Sequence, residues 1–450
     1  MFTCLMPLFR SACALLMLAA LPAAAQVSLD ASFDGDGRRT VSFDLDSAAV
    51  DRARRIFPTA GGYLVVGQAS NSPGLALALT RLNLSGQLDL SFGTNGKRSY
   101  AVDAPAIIDA VQDSQGRVIF AGNAAVSGGS DVLVGRVLPN GEVDASFGVL
   151  GVARIHLNTE DDVLALAVGP QDQVLALVRA RPGPSFGWTT YATAMDANAQ
   201  NPGSVLLGAS PLLEAGAAAW SNGRNALLVG LPVSGPQNCI LGVYSVSLGQ
   251  GPGGLTLDAD PLGSTTLTGT TSGCTQVTVT AIAATPGSGG ALLTAHRVNP
   301  NGPTGNERQV GLLMRLAGSG SVDFLRTEFA PFPADDLRLQ AVGVDAAGRL
   351  LVAGDITNSA GPSSRFGLFR YLANGSPDTA FNGGSAFIST SFNASNGLDS
   401  PQATVRDLRV LGPRILLAGR SRWTGNTDDD FAIAAFTTPD APLFRDGFEP

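Results

Sequence analysis

Lysine is almost missing from this chain: Lys97 stands alone among 450 residues, and arginine carries the rest of the positive charge. The first 25 residues hold one basic residue, Arg10, so the remainder sets 28 basic against 37 acidic residues. Nucleic-acid affinity comes mainly from neutralised phosphates, so an acidic balance excludes that class of partner. Histidine is nearly as scarce. His156 fills a slot taken by Ser42 and Ala101 elsewhere, and His296 one taken by Gly67 and Gly122, so neither reads as a catalytic base. There is no GK[ST] phosphate loop, no Rossmann fingerprint and no zinc-ligand spacing. Gly183-Pro184-Ser185-Phe186-Gly187 matches G-x-S-x-G in letters, without the strand–turn–helix context that exposes a nucleophile.

Long apolar runs are also absent, with one exception. Arg10, the run Ala12 to Leu21 and the small residues Ala23-Ala24-Ala25 predict a secretory signal peptide over 1–25 and a mature start at Gln26. No cysteine follows that boundary to take a lipid, and no later stretch is apolar enough to span a bilayer. The expected location is therefore secreted, periplasmic or on the outer surface. Cys4 and Cys13 leave with the signal, and Cys239 and Cys274 remain. They flank the Gly/Thr/Ser-rich stretch 248–276, and an oxidising compartment favours a disulfide between them over two separate buried thiols.

Glycine is abundant, at 55 residues, and much of it is periodic. Leu29-Asp30-Ala31-Ser32-Phe33, with its following Asp34-Gly35-Asp36-Gly37, returns as LDLSFGTNG at 88–96 and VDASFGVLG at 143–151. A weaker copy, PDTAFNGG, stands at 377–384. Fainter copies centre on Asp196, Asp258, Asp323 and Asp440, and the spacing averages about 59 residues. A second marker repeats in step: YLVVG (63–67), RVIFAG (117–122), QVLALV (173–178), NALLVG (225–230), ALLTAH (291–296), RLLVAG (349–354) and RILLAG (414–419).

Each unit holds four candidate strands separated by turn residues, and no segment carries a long helical stripe. The expected fold is all-β: a seven-bladed β-propeller of four-stranded antiparallel blades over 26–440, with a tail at 441–450. The strand from Arg38 should lie beside the strand 430–437, closing the ring between the chain's two ends. Phe33, Phe92, Phe147 and Phe381 are the expected wedges between blades. Asp30, Asp89, Asp144 and Asp378 are expected to bind backbone N–H groups in their turns.

The LDxSFGxxG motif, with its GRVLVAG-like and ALARLNxNG-like strands, resembles the delta-60 repeat family of bacterial exported and surface proteins. The resemblance is strong at 29–151 and 345–420. It implies a propeller fold and an extracytoplasmic setting, and no catalytic residues. The end, Leu443-Phe444-Arg445-Asp446-Gly447-Phe448-Glu449-Pro450, resembles a short FxDGFE tail of exported Gram-negative proteins, implying a processing or sorting tag.

A strand meander puts the longer, more polar connections on one rim, where binding loops are expected. That rim is acidic. It collects Asp44, Asp46, Glu160, Asp161, Asp162, Asp335, Asp336, Asp428, Asp429 and Asp430. Asp161, Asp162, Asp335 and Asp336 are candidate ligands for Ca²⁺, against a plain solvated face. Phe186, Trp188 and Tyr191, with Trp423, are a candidate platform for stacking sugar rings, and Asp428, Asp429 and Asp430 candidate ligand-binding acids. The expected function is non-catalytic recognition of an envelope or extracellular protein or glycan. The alternative is an extracellular polysaccharide hydrolase or lyase using rim carboxylates.

Overall fold

The structure, a computed structural model, describes residues 26–438, apart from 48, 73, 103–105, 210–215, 235–238, 253, 268–276, 300–307, 333–334, 359–362, 393–401 and 423–427. The expected signal peptide, Cys274, Trp423 and the tail lie outside the described residues.

The chain enters through β1 (Ser28–Leu29) and β2 (Arg38–Val41). It continues through β3 (Asp51–Thr59), β4 (Gly62–Asn71), β5 (Gly74–Asn83) and β6 (Lys97–Val102). Then come β7 (Ala106–Gln112), β8 (Val118–Val126), β9 (Gly129–Val137), β10 (Val152–Ile155), β11 (Glu160–Val168), β12 (Val174–Arg181), β13 (Thr189–Met195) and β14 (Gly203–Ala209). The middle of the chain forms β15 (Ala217–Ser221), β16 (Ala226–Ser234), β17 (Cys239–Gly251), β18 (Gly254–Leu267), β19 (Val277–Ala284), β20 (Ala291–Asn299), β21 (Arg308–Leu316) and β22 (Val322–Glu328). The last third forms β23 (Asp335–Val344), β24 (Leu350–Asn358), β25 (Ser364–Tyr371), β26 (Phe387–Thr390), β27 (Gln402–Leu411), β28 (Arg414–Arg422) and β29 (Asp429–Thr437).

These strands do not form the expected seven-bladed propeller of separate four-stranded antiparallel blades in a closed ring. Five sheets are of blade size and purely antiparallel: β3–β6, β15–β18, β19–β22, β23–β26, and a five-stranded sheet of β27, β28, β29, β1 and β2. The meanders β7–β10 and β11–β14 are instead fused into one eight-stranded sheet, through a parallel contact of Glu160 with Ser130. Among the described residues, no sheet closes on itself. Sequence markers count repeats, whereas sheets are counted by backbone hydrogen bonds. The fusion depends on Gly129: a Cβ there would sit 1.8 Å from the Thr159 carbonyl, so only glycine lets the next repeat approach and accept from the Ser130 N–H. The chain's two ends do share a sheet, with Arg38 to Val41 antiparallel to Ala434 to Phe431.

The core is divided into layers between successive meanders. One layer holds Phe57, Leu64, Leu79, Phe92, Ile107 and Phe120, and the next Ile119, Val134, Phe147, Val163 and Val174. This follows from strands such as β4, whose residues from Gly62 to Ser70 are all buried. A strand apolar on both faces needs a sheet against each side.

The Asp-x-Ser-Phe motif caps these layers. Asp144 Oδ1 accepts from the Ser146 N–H at 3.1 Å and its hydroxyl at 2.6 Å, while Oδ2 accepts from Arg136 Nε at 2.8 Å. The Arg136 guanidinium lies 4.7 Å from the ring centre of fully buried Phe147. Asp89 repeats this with Ser91 and Arg81, and Asp378 with Arg370 over Phe381. Asp30 takes its arginine, Arg414, from the far end of the chain. Phe33 and Phe92 also each meet a glycine just before the next motif: a Cβ on Gly86 would lie 2.8 Å from Phe33, and one on Gly141 2.4 Å from Phe92.

Polar side chains latch one meander to the next. Gln68 Oε1 accepts from Ile107 N–H at 3.0 Å, Asn123 Oδ1 from Val163 N–H at 3.0 Å, and Asp355 Oδ1 from Val405 N–H at 2.7 Å. His296 contacts the Leu339 backbone from the same register position, one residue beyond the strand's small residue. Asp109 accepts from Leu166 N–H and Asp407 from Ile56 N–H, each at 2.9 Å.

Candidate functional site: an arginine-lined cavity

The first strand of each meander faces a cavity of about 770 Å³, walled by β3, β7, β11, β15, β19, β23 and β27. Six of these strands shift register by one residue, at Arg54, Ile108, Leu164, Thr280, Gln340 and Arg406. A bulge re-aims the extra side chain, and all six residues line the cavity. The same device thus delivers apolar groups on one side and two arginines, from β3 and β27, on the other.

The acids along the wall are occupied. Asp109 and Asp407 both pair with Arg55, at 2.7 and 3.5 Å. Enclosure works against the Arg55 charge, but these two carboxylates hold its pKa above the usual value. Asp162 pairs with Arg179 at 2.8 Å. Behind the wall, on β24, Asp355 is fully enclosed, and burial raises its carboxyl to about 6 despite Arg406 and the latch hydrogen bonds. Burial, then Arg338, pushes His296 down to about 4, so it is neutral at physiological pH.

Arg54, Arg338 and Arg406 differ: none makes an ion pair among the described residues. Arg338 and Arg406 are exposed to water, and Arg54 is half-buried with an enclosed Nε that has no acceptor. Enclosure, then the charges of Arg406 and Arg52, push Arg54 down to about 9, so it stays protonated at neutral pH. Enclosure lowers Arg406 too; the Asp355 carboxylate opposes this, while Arg420, Arg52 and Arg338 repel it, and it keeps water on its open side. An acidic protein has thus gathered arginines outside any direct ion pair at one sector of its cavity.

The rim residues separate into several small arrangements. Asp429 is fully buried and takes Arg52, Arg420 and Arg422 at 3.0, 2.6 and 2.7 Å. Asp428 and Asp430 instead gather with Asp44. Of the four candidate calcium ligands, Asp162 is paired with Arg179, Asp335 meets Arg365 at 3.4 Å, and Asp336 accepts from Gln309 N–H. Only Asp161 joins a compact group, with Asp131 and His156. Asp34 and Asp36 in the opening glycine-rich turn pair with Arg39 and Arg38. Trp188 packs against the guanidinium groups of Arg179 and Arg181, each 4.3 Å from its ring centre. Phe186 is 60% exposed, and Tyr191 is half-buried on β13. The Gly183–Gly187 stretch is a turn between two strands. Cys239 is buried and disulfide-bonded.

Sequence reading missed the cavity arginines because Arg54 and Arg406 sit in strands that look alike in letters with or without a bulge. The signal was arginine in a slot that holds Ile108, Leu164, Thr280 and Gln340 in other repeats.

The fold is an all-β propeller assembled from repeats. Residues 61–92, 114–147 and 348–381 match the family described as a domain of unknown function (DUF5122) beta-propeller. No curated protein matches the chain. Similar solved structures include the polysaccharide lyase Uly1, at 8% identity, covering 85% of this chain and 89% of that one with a TM-score of 0.44. Another is a protein of unknown function from Dyadobacter fermentans, at 11% identity, 89% and 99% coverage and a TM-score of 0.43. A third is the β-propeller domain of the Trilobed protease from Pyrococcus furiosus, at 9% identity, 89% and 99% coverage and a TM-score of 0.39. Nothing about ligand or chemistry follows from likenesses of this degree. Among the described residues, no helix is long and apolar enough to cross a membrane.

Proposed function

We propose that this chain is an exported, non-catalytic propeller of the delta-60 repeat type that binds an acidic glycan at the arginine sector of its cavity. The observation that supports this is the trio Arg54, Arg338 and Arg406, none in an ion pair among the described residues, with Arg54 and Arg406 lining the cavity of about 770 Å³. Guanidinium groups suit carboxylates because their forked donors match two oxygens at once. The rim acids serve the scaffold: Asp429 holds Arg52 and Arg420 in place, and like charges nearby repel wrong partners. Catalysis by the acids in and behind the wall has no comparable support, since Asp109, Asp162, Asp355 and Asp407 already accept from arginine, amide or backbone donors.

The test is calorimetric titration with oligogalacturonate and, as a neutral control, a dextran oligomer. Binding of the acidic oligomer alone is expected, weakening as salt rises because the contacts are ionic. Arg54→Ala and Arg406→Ala should each weaken it by about tenfold or more. Equal binding of both oligomers, or no effect of either substitution, refutes the reading.

A further inference from the structure

A second site lies at the seam between the chain's ends and stands independently of the glycan reading. Carboxylate oxygens of Asp44, Asp428 and Asp430 lie within 4.8 Å of one another. Asp51 stands beside them: one oxygen accepts from the backbone N–H groups of Phe43 and Asp44, and Asp44 and Asp430 are the like charges acting on it. Asp51 is fully buried, and its Oδ1 has no hydrogen-bond partner. A buried carboxylate oxygen left unmatched among other carboxylates must be neutralised, by a proton or by a cation.

The repeat supplies its own comparison. Val41 pairs with Phe431 in one copy, and Ile155 with Val132 in the other. Asp430 therefore corresponds to Asp131, and Ser42 to His156. Asp51 accepts from Phe43 N–H just as Asp161 accepts from Leu157 N–H. In the second copy an imidazole fills that place: His156 Nδ1 is 2.7 Å from Asp131 and 3.9 Å from Asp161, and the hydrogen bond to Asp131 raises its pKa. In the first copy Ser42 replaces that imidazole, and Asp44 and Asp428 add two further carboxylates.

We propose that Asp44, Asp51, Asp428 and Asp430 bind a calcium ion that ties β2 and β3 to β29. An all-oxygen, multiply anionic donor set selects a hard cation. Oxygens that all lie within 4.8 Å of one another can reach one ion, and a set of several carboxylates suits Ca²⁺, which takes about 6–8 oxygen ligands, better than Mg²⁺, which keeps several waters and is held by one or two carboxylates.

The experiment uses the mature chain stripped with EDTA and titrated with CaCl₂, followed by calorimetry and thermal melting. One saturable site is expected, with half-saturation on the order of 0.1–1 mM, as in extracellular calcium modules. At about ten times that concentration Tm should rise by roughly 1–3 °C, and MgCl₂ should do less. Asp51→Asn should abolish the response, and Asp161→Asn should leave it intact. Ser42→His should raise Tm in EDTA and remove the calcium response, because an imidazolium would take the ion's place. A wild-type chain without a calcium-dependent rise in Tm, or a Ser42→His chain that keeps it, overturns the proposal. This second variant decides the matter even if Asp51→Asn fails to fold.

Discussion

Two buried aspartates show how the same side chain can carry opposite pH dependence. Burial pulls the Asp144 carboxyl up, but Ser146 and Arg136 outweigh it and hold the pKa below the usual range. Its contribution to stability is therefore present above the unfolded value near 3.8 and lost as pH falls through the lower folded value. Asp355 runs the other way. Its folded pKa is raised to about 6, so ionisation opposes folding, and stability is shed as pH rises from 3.8 to about 6. Asp355→Asn keeps an acceptor for Val405 N–H and has no proton to lose. Its Tm is expected to gain on wild type as pH goes from 4 to 8, measured by calorimetry across that range; a constant difference would refute this. Phe147, sealed between two layers beneath Arg136, is the opposite kind of residue. Phe147→Ala should cost about 3–5 kcal/mol in denaturant unfolding, because the rigid layers cannot collapse on the void.

Neighbouring meanders are joined by apolar layers and by a few specific polar latches. Asn123 shows this: it accepts from Val163 N–H and donates to Asp162, spanning from β8 to β11. Asn123→Leu would leave a backbone N–H unmatched, costing about 1–3 kcal/mol, visible as faster amide exchange at Val163. Gly129→Val tests the fused sheet. Its Cβ would collide with Thr159 O, so amide exchange at Ser130 should quicken while Val132 to Gly135, paired on both sides by β8 and β10, stay protected. How much was legible differs by element. The Asp-x-Ser-Phe turns and the apolar second strands were readable because each repeat states them again. The arginine eight residues before Asp89, Asp144 and Asp378 was also repeated, at Arg81, Arg136 and Arg370, and its pairing followed from the hairpin between them.

At the scale of the whole molecule, the two ends of the chain depend on each other. β29 is buried along nearly all its length, with β28 on one side and β1 and β2 on the other. Arg414 reaches from β28 to Asp30 and to Ser32. A chain lacking residues 26–41 would expose the edge of β29, an invitation to pair with another molecule. It should melt well below the intact chain and aggregate on heating, which light scattering during a thermal ramp would reveal.

Composition and periodicity alone settled that this protein is all-β, built of repeats of about 59 residues, because turn chemistry and strand alternation are local and each copy reinforces the others. Which repeats share a sheet, which arginines remain unpaired around the cavity, and which aspartates from opposite ends of the chain meet were decided only by the tertiary structure. Those outcomes turn on distances between residues far apart in sequence: a missing Cβ at Gly129, a one-residue bulge at Arg54, a serine at 42 where another repeat carries histidine.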